Sequence, residues 1–324
     1  MRRFIRMKWM VIGALIAFMV AIGTVHYAHA QVRRYRSADS IQGIRQVLVW
    51  LQGAEFTETP ENPAPENTEE LRVFGQAVYV ARCTPCHGLE GNGDGTEAKN
   101  LAVPPTDFTR GIFKFRSTPT GTLPTNDDLF RTVSRGVHGT SMLPWPVVSE
   151  RSRWALIYYI RTFSGRFAQE EPAKPISISS VPDFTPELIV LGRALYGELQ
   201  CQDCHGFEGR GDGVQASKLK DYKERPIRPR NFAEGRFKAG STPRDVYRTL
   251  FTGLEGTPMP AYELDETYLW PVVAYVLTML PEKPVIHDPA KQRQLPVGIL
   301  ENMHPEERLG MTIDLPMISG WGLR

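Results

Sequence analysis

The sequence predicts an all-α protein in which one helical unit occurs twice in tandem, behind an apolar N-terminal helix. Three observations carry this expectation. Residues 68–166 and 185–283 match each other position by position, both segments begin and end with apolar residues spaced for helices, and the Gly- and Pro-rich stretches between those helices hold little strand signal. A chain of 324 residues suits about two domains. With 23% charged residues and a mean hydropathy of −0.29, it is too polar for a polytopic membrane protein. Its 38 basic and 36 acidic side chains leave a formal net charge of +2, so docking to any partner must rest on local patches, and nucleic acid is not expected. Four cysteines are too few to staple a chain of this length.

Residues 1–30 read as an export signal or membrane anchor. Arg2, Arg3, Arg6 and Lys8 precede an uncharged apolar run over 9–25, and Ala28-His29-Ala30 has the form of a cleavage site before Gln31. The apolar run exceeds the usual signal core, and Arg33, Arg34 and Arg36 after the site would hinder export, which favours an uncleaved anchor. Cleavage, giving a soluble periplasmic protein, stays open. In both cases the positive start faces the cytoplasm, and everything after residue 30 is expected on the periplasmic side of the cytoplasmic membrane. Residues 31–67 then hold a short helix, with Ile41, Ile44, Val47, Leu48 and Leu51 on one face, and an acidic, Pro-rich linker.

The two copies occupy 68–166 and 185–283, with a linker over 167–184 and an extension over 284–324. Gly75-x-Ala77-x-Tyr79 recurs as Gly192-x-Ala194-x-Tyr196, and Cys83-x-x-Cys86-His87-Gly88 as Cys201-x-x-Cys204-His205-Gly206, each followed by Gly-x-Gly-Asp-Gly. Pro105-x-Asp107-Phe108 answers Pro229-x-Asn231-Phe232, and Phe113-Lys114 answers Phe237-Lys238. Gly139-Thr140-x-Met142 pairs with Gly256-Thr257-x-Met259, and Trp154 with Trp270. The offset between partners lengthens and shortens again along the unit, as loop insertions in one fold would make it. Asn67 or Thr68 caps a first helix running to Arg82, and Thr185-Pro186-Glu187 opens its counterpart. The closing helices are expected over 150–163 and 266–280, with Pro271 within about the first turn of the latter, where proline is tolerated. Units this small and loop-rich have small cores, so something else must help to hold them together.

C-x-x-C-H, present twice, is the attachment signature of c-type haem. Two thiols at this spacing reach the two vinyl groups of one porphyrin, and the adjacent histidine faces the iron. The thiols are Cys83 and Cys86, then Cys201 and Cys204; the histidines are His87 and His205. A zinc ribbon needs its Cys pairs far closer together, a dithiol redox site needs a βαβ context, and plain disulfides give no reason for a histidine to follow twice.

Each copy resembles a class I cytochrome c domain, and residues 68–283 together resemble a dihaem cytochrome c. The resemblance implies two covalently attached haem c groups and a distal methionine in each copy, carried over to Met142 and Met259, which sit at matching places in Gly-Thr-x-Met loops. His138 is the rival ligand in the first copy, but Glu255 stands at its place in the second, so His138 is expected at the surface or behind the ligands. Phe108, Phe232, Tyr79, Tyr196, Trp154 and Trp270 are expected to pack the haems or the helices. Lys114, Lys238, Arg131 and Arg248 are candidates for the haem propionates, although solvated side chains are as good a reading. Between 218 and 238, Lys218, Lys220, Lys223, Arg225, Arg228, Arg230, Arg236 and Lys238 outnumber Asp221, Glu224 and Glu234, either as a solvated insertion or as a patch for an acidic redox partner.

An iron with both axial positions filled passes single electrons and binds no substrate. The expected function is therefore electron transfer, not catalysis, between respiratory redox partners. Two alternatives remain: a dihaem cytochrome c peroxidase, disfavoured because both copies keep the methionine loop, and a dedicated cytochrome subunit of a haem-copper oxidase or molybdenum-enzyme complex. The apolar residues of the extension, such as Met311, Ile313 and Trp321, make a packed segment the expectation there.

Overall fold

The computed structural model describes residues 60, 63–145 and 148–284. The N-terminal anchor or signal, the helix after it and the C-terminal extension lie outside the described residues. Within them the protein is all-α. The first copy contains α1 (Glu69–Arg82), α2 (Thr84–His87), α3 (Asn126–Arg135) and α4 (Glu150–Arg161), and α5 (Arg166–Gln169) opens the connector. The second contains α6 (Pro186–Glu198), α7 (Cys201–His205), α8 (Pro243–Thr252) and α9 (Glu266–Thr278). No helix among the described residues is long and apolar enough to cross a membrane.

Local chemistry starts each helix. The Thr68 hydroxyl accepts from the Leu71 amide at 3.2 Å, and Glu69 and Glu70 lie at the positive end of α1. Thr185 does the same for α6, with Pro186 in its first turn. Ser149 and Asp265 cap α4 and α9. The closing helices end a little earlier than expected, at Arg161 and Thr278, because the chain tightens into a final turn. Pro271 is also deeper in α9 than expected. It falls in the second turn and deprives the Thr267 carbonyl of its usual amide donor.

The first and last helices of each copy cross at a glycine. A Cβ on Gly75 would collide with the Ala155 carbonyl, and one on Gly192 with the Pro271 carbonyl. That close approach explains the repeated Gly-x-Ala-x-Tyr. Behind each crossing lies a separate core. Trp154 stacks on Phe130 at 4.4 Å in the first, and Trp270 packs on Tyr247 at 4.6 Å in the second.

The copies are joined by polar contacts. Arg116, fully buried, donates to the Thr252 carbonyl at 2.9 Å and pairs with Glu255 at 3.2 Å. Asp245 takes Arg135 from the first copy at 3.3 Å and Arg248 from its own at 2.7 Å. The basic stretch is in part the exposed insertion expected, with Lys218, Lys220, Lys223 and Arg228 exposed, and in part a contact between the copies. Lys223 crosses to Asp107 at 2.7 Å, Tyr222 lies under Arg110, and Arg225 and Arg230 pair with Asp221 and Glu234. Of its charges, that of Lys223 is spent on the junction, and those of Lys220, Arg225 and Arg230 on carboxylates of the same stretch. The connector is likewise bound to both copies: the Ile176 amide donates to Ser117, Arg244 holds the carbonyls of Ile178 and Ser179, and Trp270 donates to the Ser179 hydroxyl.

Candidate functional site

The C-x-x-C-H residues fall on α2 and α7, with Cys83 at the cap just before α2, immediately after α1 and α6, so the first helix of each copy delivers them to the loop that follows. In both copies the histidine is fixed by the same three devices. The His87 ring nitrogen Nδ1 donates to the Thr106 carbonyl at 3.2 Å, and His205 Nδ1 to the Arg230 carbonyl at 3.3 Å. A carbonyl only accepts, so the proton sits on Nδ1 and Nε2 keeps its lone pair for a metal. Phe108 stacks on His87 at 4.6 Å, and Phe232 on His205 at 4.7 Å. Burial lowers the pKa of both rings, with the carbonyl bond acting weakly the other way, so both are neutral near pH 7.

The turn after each histidine is pinned from below. Gly88 and Gly206 both take φ of 77°, a left-handed region open to glycine. Their carbonyls accept from the Tyr79 and Tyr196 hydroxyls at 2.7 and 2.8 Å. The repeated tyrosine therefore ties α1 and α6 to the cysteine loop. Burial pushes the Cys83 thiol up to about 12 and the Cys201 thiol up to about 11.

The methionine loops repeat atom for atom. The Thr140 hydroxyl donates to the Val137 carbonyl at 2.8 Å and accepts from the Met142 amide at 3.1 Å. Thr257 does so with Leu254 and Met259, at 2.6 and 3.2 Å. The amides of Val137 and Leu254 return to the Met142 and Met259 carbonyls. A threonine and a left-handed glycine at 139 and 256 thus turn the chain so that a methionine follows at a set place. In the second copy, Cys201, Cys204, His205 and Met259 all line one cavity of about 980 Å³, walled largely by apolar side chains. That is ample for a large planar cofactor, and its donor set of two thiols, one imidazole and one thioether fits a covalently held haem. In the first copy, Cys83 and Met142 pack against the same core.

Residues 189–280 match the family model for cytochrome c, and residues 74–160 match the model for cytochrome c oxidase, cbb3-type, subunit III. A chain of the Kuenenia stuttgartiensis reducing HAO-like protein complex is 40% identical, with a TM-score of 0.64 over 68% of this chain and the whole of that one. The chain belongs to the dihaem cytochromes c. No curated protein sequence matches it.

In this cytochrome the expected packing residues take more definite parts than the sequence assigns. The phenylalanines orient the histidines, the tyrosines hold a carbonyl, and the tryptophans belong to the helix cores. His138 is not at the surface. It is 5% exposed and lies within reach of the charges of Arg230 and Arg236 of the second copy. Burial, with Arg236, Arg135 and Arg230 adding to it, pushes its pKa down to about 4. Arg131 and Arg248 pair with Asp128 and Asp245. The functional groups missed at the sequence level are the carbonyls of Thr106 and Arg230. The repeated Pro-x-Asp/Asn-Phe stretch marked their place, but a backbone acceptor carries no side-chain signature.

Proposed function

We propose that this cytochrome carries two covalently attached haem c groups and passes single electrons between respiratory redox partners outside the cytoplasm. Cys83 and Cys86 hold one haem and Cys201 and Cys204 the other. His87 and His205 are the proximal ligands, and Met142 and Met259 the distal ones. The observation that carries this reading is the twofold occurrence of one set of devices, a neutral histidine with its Nδ1 proton on a carbonyl and a methionine loop of identical hydrogen bonding, which in the second copy line one cavity. When bound, haem supplies an iron that alternates between ferric and ferrous states. The chain's part is to fix the imidazole by the Thr106 or Arg230 carbonyl and the stacked phenylalanine, and to exclude water with an apolar wall. Its threonine turn keeps the methionine in place. With a histidine and a methionine of each copy both committed to a bound haem, peroxide would find no open site there, which sets this reading apart from a peroxidase. The likeness to a chain named as part of a redox complex supports a dedicated protein partner. Attachment by residues 1–30 to the periplasmic side of the membrane, or release by cleavage before Gln31, belongs to the same reading.

An optical redox titration of the purified protein tests it, with two one-electron haem waves expected. The near-infrared band of methionine-ligated ferric haem should fall in Met142→His and in Met259→His and vanish in the double variant. Survival of the band in the double variant refutes the ligand assignment, and rapid peroxide turnover by the reduced protein replaces the carrier by an enzyme.

A further inference from the structure

The cavity behind Cys201 and His205 is not closed by its own copy. Lys114, Phe115 and Gly139, all from the first copy, stand in its wall beside Lys238. Lys114 and Lys238 are counterparts in the repeat, and both are half-buried. Burial lowers the pKa of each, and for Lys238 the nearby charge of Lys114 adds to the effect. The arginines around them already have carboxylates: Arg131 has Asp128, and Arg135 and Arg248 share Asp245. The two lysines differ. Among the described residues neither ammonium has a hydrogen-bond or salt-bridge partner, although Asp221 lies near enough to favour the charge of Lys114. Two like charges brought together at a junction are costly unless an anion joins them. The group that Cys201, Cys204 and His205 would hold brings carboxylates into this same cavity.

Resting on the haem assignment above, we propose that Lys114 of the first copy is a counter-ion for a carboxylate of the haem held by the second copy, so that this haem helps to lock the two copies together. Lys238 supplies the matching charge from the second copy's own side. A cation at this place favours the ferrous over the ferric state by simple Coulomb attraction. The potential of the second haem therefore reports on a residue of the first copy.

The test uses the full-length haem-loaded protein. In a Met142→His background the remaining near-infrared band belongs to the second haem, and its redox titration isolates that haem. Lys114→Gln and Lys114→Met are expected to lower its midpoint potential, more than they lower that of the first haem measured in a Met259→His background, and Lys114→Arg is expected to restore it. A second-haem potential that is unmoved by both neutral variants, or that moves no more than the first, overturns the inference. So does a Lys114→Arg protein that behaves like Lys114→Gln, since a purely steric role would not track charge. If the band survives in the Met142→His/Met259→His double variant, the ligand assignment itself has failed and the inference falls with it, an outcome that is visible before any lysine is changed.

Discussion

The two copies agree where a residue bears on the histidine or the methionine, and several of the residues by which one copy meets the other have no like counterpart in the repeat. His87 and His205 share the carbonyl, the stacked phenylalanine and the tyrosine-pinned glycine to within a tenth or two of an ångström. Outside that shell the copies diverge. His138 stands where the second copy has Glu255, and Arg116 of the first copy is answered in the repeat by Gly240. The stretch around Tyr222 and Lys223 has no counterpart in the first copy. Duplication supplied the cofactor machinery twice, and the divergent positions became the joint.

The largest expected effect is therefore at the joint. Arg116→Met leaves Glu255 and the Thr252 carbonyl without their buried partner, a loss of about 3 kcal/mol for a pair of this kind. Thermal unfolding followed by far-ultraviolet dichroism should show the fall, and proteolysis should nick the connector. Comparable stability in the variant would mean that the copies are held by something other than these ion pairs.

His138 gives the next largest effect, and it belongs to the first copy alone. Its pKa in the folded protein, about 4, lies below its ordinary value of 6.5. The folded state therefore favours the neutral ring. The contribution is fully present above pH 6.5 and is lost as pH falls toward 4, by about 3 kcal/mol in the limit. His138→Gln should flatten the stability curve across that window. A wild-type curve that is already flat between pH 6.5 and 4 would contradict it.

Gly75→Ala and Gly192→Ala ask whether the copies are equal where they look equal. Alanine gains about 1 kcal/mol of helix propensity, but its Cβ meets a backbone carbonyl that moves only if the helices part. A net loss of about 2 kcal/mol is expected for each, the same in both copies to within error. A large difference between them would show that the crossing in one copy yields more easily.

How much of this was legible in the sequence follows the same division. The all-α class, the helix starts at Thr68 and Thr185 and the paired loops could be read because each rests on a local rule: a cap, a proline, a repeated motif. Even the Gly75 and Gly192 crossings announced themselves as matched positions, though not as crossings. The acceptors of the histidine protons were hidden because they are backbone atoms. The contacts within the basic stretch at 218–238 were hidden because charge counts register side chains and not their partners. Lys223 looks free until Asp107, more than a hundred residues earlier, is brought beside it.

That pair gives the smallest and the most discriminating effect. Lys223 is about one-third exposed and Asp107 is buried. Burial on its own would raise the Asp107 pKa, but Lys223 and the Thr109 hydroxyl outweigh it and hold the carboxyl below its usual value. The sign follows directly. A depressed carboxylate pKa stabilises the folded state above the unfolded pKa of about 4 and loses that contribution as pH falls through the folded value. Lys223→Met should cost less than about 1 kcal/mol at neutral pH, since the partly exposed ammonium is screened. The difference from wild type should shrink in high salt and disappear in acid below the carboxylate range. A charge patch reserved for an outside partner would behave otherwise. Lys223→Met would then leave stability unchanged at every pH and salt concentration and would slow electron exchange with an acidic partner instead.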